Sequence, residues 1–152
     1  MSVSDASGEP DFKIIFEQMP GMCLVLDPSF KILAQNTEHK RATLSEKKNV
    51  VGMYLFEAFP DNPNDGNADG VSAVRQSLLN VLKTRKTDVM PLIRYDVRSE
   101  LGGFQDKYWA ITNIPVLGAD GFVRWIINRA ENVTGMMHLR APALSTAQID
   151  ED

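Results

Sequence analysis

Arg94, Asn113 and Asn128 each interrupt an apolar run, in PLIRYDV, YWAITNIPVL and GFVRWIINRAENV. An arginine and two amides turned into one cavity would form a recognition site. A guanidinium grips a carboxylate through two parallel hydrogen bonds, and buried without a partner it would be costly. Side chains alternate along a strand, so Trp109, Ile111 and Asn113 oppose Tyr108, Ala110 and Thr112. Likewise Ile126, Asn128 and Ala130 oppose Trp125, Ile127 and Arg129, while Leu92 and Arg94 oppose Ile93 and Tyr95. Both faces carry apolar residues, so alternation alone leaves the inward face open. One reading sends Arg94 and the amides to a small, strongly hydrogen-bonding or anionic ligand. The other pairs Arg94 with an acid such as Asp96 or Glu57 and ties the amides to the backbone. A one-residue slip would reverse every assignment.

Little else in the chain points to catalysis. It holds no nucleophile–base–acid set, no phosphate-binding glycine loop and no metal cluster, so an enzyme is not expected. His39 and His138 read as surface residues. With Cys23 as the single cysteine, neither a disulfide framework nor a structural zinc site has its ligands. The net charge of −4 argues against a nucleic-acid partner. Lys83, Arg85 and Lys86 fall where cations complement a helix end. No apolar run reaches the roughly 20 residues of a membrane helix. The acidic start MSVSDASGEPD is unlike a secretory signal, and the expected location is cytoplasmic.

The elements that would position these residues follow from periodicity. Phe12, Ile15, Phe16 and Met19 recur at helical spacing before Pro20–Gly21. MCLVLD and FKILAQN, joined by Pro28–Ser29, predict an antiparallel hairpin. Asn36 is placed to cap a helix over TEHKRATL and Ser45 a turn over EKKN. A short apolar helix carries Tyr54, Leu55, Phe56 and Phe59 up to Pro60. After the loop-like NPNDGNADG, a longer helix runs from Val71 to about Thr84. Three strand-like runs follow, 88–98, 104–118 and 121–133, separated by glycine turns. Strands at both ends with helices between them predict an α+β domain on one antiparallel sheet.

In this order the chain resembles a PAS domain over roughly residues 10–134. The resemblance rests on Leu26-Asp27, Lys31-Ile32-Leu33 with Asn36, Val50-Val51-Gly52, the Tyr-Trp strand ending at Pro115, the Ala-Asp-Gly turn and the closing Glu-Asn-Val-Thr. It is most similar to N-terminal sensory modules of bacterial sensor histidine kinases in two-component systems. The resemblance implies a five-stranded antiparallel sheet with short helices over one face and the N-terminal helix on the other. Residues 1–9 would be a mobile tail and 135–152 an exit segment.

The resemblance also implies a pocket. Comparing LIRYD with the corresponding strand of flavin-binding relatives puts Arg94, Asn128 and Asn113 inward, with Trp109, Tyr54, Phe56 and Leu78 as candidate ligand-binding walls. Flavin photochemistry is disfavoured, because Cys23 lies in the first strand and not in the reactive helix. Haem is disfavoured, because the long helix has no histidine. The ligand itself stays unidentified. Asn132-Val133-Thr134 stands where the family often has Asp, which removes a charge from the coupling to the exit helix. Phe12, Ile15, Phe16, Met19, Tyr95, Trp125 and Ile127 would form a homodimer surface. The functions expected are therefore ligand sensing relayed to a histidine kinase or other output domain, or dimerisation without a ligand.

Overall fold

The computed structural model describes residues 8–139. The expected boundaries at 1–9 and 135–152 therefore fall largely outside the described residues. The chain opens with α1 (Phe12–Gln18), capped by Asp11, whose carboxylate accepts from the amides of Lys13 and Ile14. The hairpin β1 (Met22–Leu26) and β2 (Ile32–Gln35) follows, then α2 (Thr37–Ala42), α3 (Leu55–Ala58) and α4 (Gly70–Thr84). The last third is strand: β3 (Asp88–Val89), β4 (Ile93–Arg94), β5 (Val97–Arg98), β6 (Phe104–Gln105), β7 (Tyr108–Leu117) and β8 (Val123–Asn132). Residues 134–139 are helical. Among the described residues no helix is long and apolar enough to cross a membrane.

The main sheet is antiparallel with order β2-β1-β8-β7-β3, and β4 pairs with the far end of β7, giving six strands. The sixth arises because the expected strand 88–98 is broken. The Met90 amide still donates to the Ile111 carbonyl, but pairing resumes at Ile93 one residue out of step, so a bulge around Pro91 separates the two halves. Beyond Tyr95 the run leaves this sheet, and β5 pairs instead with β6 in a separate two-stranded ribbon. The expected strand 104–118 accordingly divides at Asp106–Lys107. Over EKKN the chain turns as expected, with the Lys48 amide donating to the Ser45 carbonyl.

One sheet face is packed. Met22, Leu24, Leu26, Trp109, Ile111 and Ile126 are buried there against Phe56, Val74, Leu78 and Val81 from the helices. Removing such a large apolar surface from water is what holds helices and sheet together. The edge strand β2 is not left bare. Its Ile32 amide donates to the Met53 carbonyl, and its carbonyl accepts from Gly52. α1 buries none of its side chains and lies beside α2. Its apolar stripe stays open to solvent, with Phe12 73% exposed.

The start of α4 is fixed by a close approach. A Cβ at Gly70 would sit 2.7 Å from the Tyr95 ring. Gly70→Ala is therefore expected to cost about 1–3 kcal/mol in urea unfolding, as overpacking does. Gly66→Ala, where nothing lies within 4 Å, should be neutral or slightly stabilising. Equal stabilities for the two variants would contradict this packing.

Candidate functional site

Between the packed face of the sheet and the helices lies a cavity of about 400 Å³. Leu24, Trp109, Ile111, Asn128 and Ala130 form its floor, and Phe56, Ala58 and Val74 its apolar roof. His39 of α2 lines one wall, and the segments 44–48 and 95–100 form the mouth. Lys47 reaches Glu100 across that mouth at 3.7 Å, but both side chains are largely exposed and the pair is weak.

His39 is placed by Asn36, which is fully buried. The Asn36 side-chain oxygen accepts from the Cys23 amide at 3.0 Å and the His39 amide at 3.1 Å, so one residue ties β1 to the first turn of α2. Its amide group donates to the carbonyls of Gly21 at 2.7 Å and Met19 at 3.3 Å. The cap expected at Asn36 forms, and the histidine it positions is buried. This corrects the surface reading of His39. A six-residue helix is too short to show a periodic face, and the cap turns its third residue inward. Burial pushes the His39 imidazole down to about 3, so the ring is neutral. His138 is exposed, with Nε2 at 3.5 Å from Asp106.

Two chains of hydrogen bonds fix the polar walls. The first starts at the His39 carbonyl, which can only accept, so the Thr43 hydroxyl donates to it at 2.7 Å. With that proton committed, Ser45 donates to Thr43 at 2.8 Å in preference to the Lys40 carbonyl at 3.5 Å, and Gln35 must offer its NH₂ to Ser45 at 2.9 Å. The same Gln35 nitrogen lies 3.0 Å from His39 Nδ1, which therefore accepts. The ring proton is on Nε2. The second chain starts at the Asp88 carboxylate, another pure acceptor, to which Ser77 donates through a short bond. Asn113 then donates to Ser77 at 2.9 Å, and Asn128 donates to the Asn113 oxygen at 2.7 Å. Both asparagines sit on the inner face, buried, joined side chain to side chain and not to backbone.

The remaining expected ligand-binding residues are spread differently. Trp109, Phe56 and Asn128 line the cavity; Asn113 lies just behind Asn128, Leu78 is central core, and Tyr54 packs edge-on to Phe56 outside the cavity. Arg94 is not inside. It pairs with Tyr108, on the outer face, while Ile93 pairs with inward-facing Trp109. Its guanidinium lies near the surface and grips Asp96 with Nε at 2.9 Å and Nη2 at 3.2 Å. Burial pushes the Asp96 carboxyl up, but the bonds from Arg94 and from Asn62 at 2.9 Å outweigh it and hold the group below its ordinary value. The phase flips because Pro91 separates this strand from β3, so alternation cannot be carried across the break.

Tyr95, expected on the outer surface, is another correction. Its hydroxyl donates to the Phe59 carbonyl, its own carbonyl accepts from Trp109 Nε1 at 2.7 Å, and its side chain lines the cavity. Burial holds its hydroxyl well above the ordinary tyrosine range. Of the other residues expected on a dimer surface, Phe12, Ile15, Met19 and Trp125 are exposed, and Phe16 and Ile127 half-buried. Cys23 pairs with Arg129 on the outer side of β1, away from the cavity. Among the described residues no group of three or more His, Cys, Asp and Glu side chains could hold a metal ion.

The geometry has clear structural relatives. An RNA-binding light-oxygen-voltage receptor superposes with a TM-score of 0.69 at 17% identity, over 99% of this chain and 39% of the receptor. The PAS domain of a protein from Colwellia psychrerythraea gives 0.62 at 11% identity, over 88% of this chain and 99% of that one. A sensory box sensor histidine kinase from Vibrio cholerae gives 0.54 at 14% identity, over 86% and 95%. No family model matches the sequence, and no curated protein matches it.

The buried neutral imidazole makes stability depend on pH. An unfolded histidine takes up a proton below about pH 6.5 while the native ring does not, so acid favours the unfolded state. Wild-type stability should fall as pH drops from about 6.5 toward 4, by up to about 1.4 kcal/mol per pH unit. His39→Gln should flatten that slope before carboxylates begin to protonate. Parallel denaturation profiles for the two proteins would contradict a buried neutral His39.

Proposed function

We propose that this chain, which has the PAS fold, is a sensory module whose interior cavity takes a small molecule and passes its occupancy to a partner or output domain. The observation that carries this reading is the cavity of about 400 Å³, within the range of small-molecule sites, walled by apolar side chains and a few oriented polar groups.

A route outward is built into β8. Asn128 and Ala130 face the cavity, and the strand ends two residues later in Asn132-Val133-Thr134. The Thr134 hydroxyl donates to Asn132 at 2.6 Å and accepts from the Tyr108 amide at 2.9 Å. The Val133 amide donates to the Tyr108 carbonyl, and its own carbonyl accepts from Met137 in the helical residues 134–139. Any shift of β8 against β7 therefore acts on the start of that helix. Asn132 makes this junction by hydrogen bonds alone. A ligand would bias the two positions of the strand by its differential affinity for them.

The anionic ligand expected from an inward Arg94 loses its basis, since that arginine is committed to Asp96. Lys47, Lys48 and Arg98 stand at the mouth, where they could meet a charged group protruding from the cavity. A second reading, self-association, draws on the exposed Phe12, Ile15, Met19 and Trp125. Sedimentation as a monomer at micromolar concentration would remove it.

Filling the cavity tests the primary reading directly. Ala130→Leu places its added carbons in open volume, so it should cost well under the 1–3 kcal/mol typical of overpacking a filled core, about 1 kcal/mol or less. A ligand found in a metabolite panel and present at about 100 times its Kd should stabilise the wild type by about 2.7 kcal/mol. The leucine variant should lose most of that gain. A strongly destabilised variant, or a panel that never moves the melting temperature, would count against the cavity as a binding site.

A further inference from the structure

The cavity holds two polar atoms that the protein itself does not use. His39 is 5% exposed, and its Nδ1 accepts from Gln35. Its Nε2 carries the proton and finds no acceptor among the described residues, yet it is not a sealed, unsatisfied atom, so it opens on the cavity that the ring lines. Asn128 is also 5% exposed and spends its NH₂ on Asn113. Its Oδ1 likewise has no donor among the described residues and is not sealed off. A nearly buried donor and a nearly buried acceptor thus face one largely apolar space. A buried polar group left unmade is costly, so both call for a partner.

Resting on the reading of the cavity as a ligand site, we infer that its ligand is an uncharged molecule with an apolar body and a carboxamide-like head, whose oxygen accepts from His39 Nε2 and whose N–H donates to Asn128 Oδ1. Register supports one head group serving both. Gln35, Leu24 and Asn128 lie on one rung across β2, β1 and β8, and His39 sits against Gln35. Two strand spacings separate the ends of that rung by about 10 Å at Cα.

Charge selects against an anion. The lining cations Lys47, Lys48 and Arg98 are exposed at the mouth. Asp96, the buried carboxylate of the mouth segment, already accepts from Arg94 and Asn62. A carboxylate drawn inside would shed its water without gaining a counter-ion. The tautomer also argues against a metal: a histidine ligating through Nε2 needs its proton on Nδ1, and here Nδ1 is the acceptor.

Three probes of one skeleton separate the possibilities: 4-phenylbutanamide, 4-phenylbutanoate and butylbenzene, titrated against the whole chain by NMR up to millimolar concentration. The amide should bind at least about tenfold more tightly than either of the others. His39→Phe and Asn128→Leu should each remove that advantage, so that the amide binds no more tightly than butylbenzene to either variant. Histidine ring ¹⁵N shifts of the wild type give a readout that does not depend on variants folding. They should show His39 protonated at Nε2, with that signal moving on addition of the amide and not of butylbenzene. Equal binding of all three, preference for the carboxylate, or a proton on Nδ1 overturns the assignment while leaving the cavity a binding site. Failure of every probe to bind overturns the cavity reading as well.

Discussion

A carboxylate accepts hydrogen bonds and cannot donate them, and the interior of this protein is organised around that asymmetry. Asp88 on β3 fixes the direction of the Ser77 hydroxyl on α4, then of the Asn113 amide on β7, then of the Asn128 amide on β8. Each link leaves the next group a single orientation, because every buried donor needs an acceptor. What reaches the cavity at the far end is a carbonyl oxygen, determined by a group three links away. The His39 carbonyl plays the same part for Thr43, Ser45 and Gln35 on the opposite wall. Such networks are stabilising only when complete, and among the described residues no fully sealed side-chain nitrogen or oxygen lacks a partner; His39 Nε2 and Asn128 Oδ1 stay open to the cavity.

These chains also couple elements that apolar packing would leave independent. The Asp88 chain crosses from β3 through α4 to the centre of the sheet, so the helix cannot slide without breaking a buried bond. Asn36 does the same for the N-terminal half, joining the end of α1, the start of β1 and the cap of α2. Between the two anchors lies the cavity. Its walls are rigid where these bonds hold them, and its mouth is spanned by one exposed ion pair, Lys47–Glu100. A scaffold with fixed walls and a weakly held entrance suits reversible occupancy by a small molecule.

Much of this was readable in advance, and the exceptions have physical causes. Alternation within one uninterrupted strand groups Asn113 with Trp109 and Ile111, and Asn128 with Ile126 and Ala130; the family resemblance turns both groups inward, where the structure buries them. The hairpin, the Asn36 cap and the span of α4 follow from local turn chemistry and helical spacing. Arg94 was misplaced because Pro91 interrupts the ladder, and a phase cannot be counted through a break. Tyr95 was misplaced with it, and Gly70, which leaves room for its ring, lay within the loop-like NPNDGNADG with nothing to mark that role. His39 gave no periodic signal. Its burial is decided by a cap three residues earlier and by the β2 side chain of Gln35, and neither relation has a pattern in a single sequence. The pairing of Arg94 with Asp96 was legible as the competing reading, since the two stand two residues apart.

The orientation of Asn128 is the point on which the chemistry of the cavity turns, and it can be observed. Scalar couplings across hydrogen bonds, measured by NMR in ¹⁵N,¹³C-labelled protein, report which side-chain nitrogen donates to which carbonyl carbon's oxygen. A coupling from Asn128 Nδ2 to the side-chain carbonyl carbon of Asn113 is the result this structure requires. A coupling in the reverse sense, from Asn113 Nδ2 to Asn128, would turn the amide around, present an N–H to the cavity, and contradict the account.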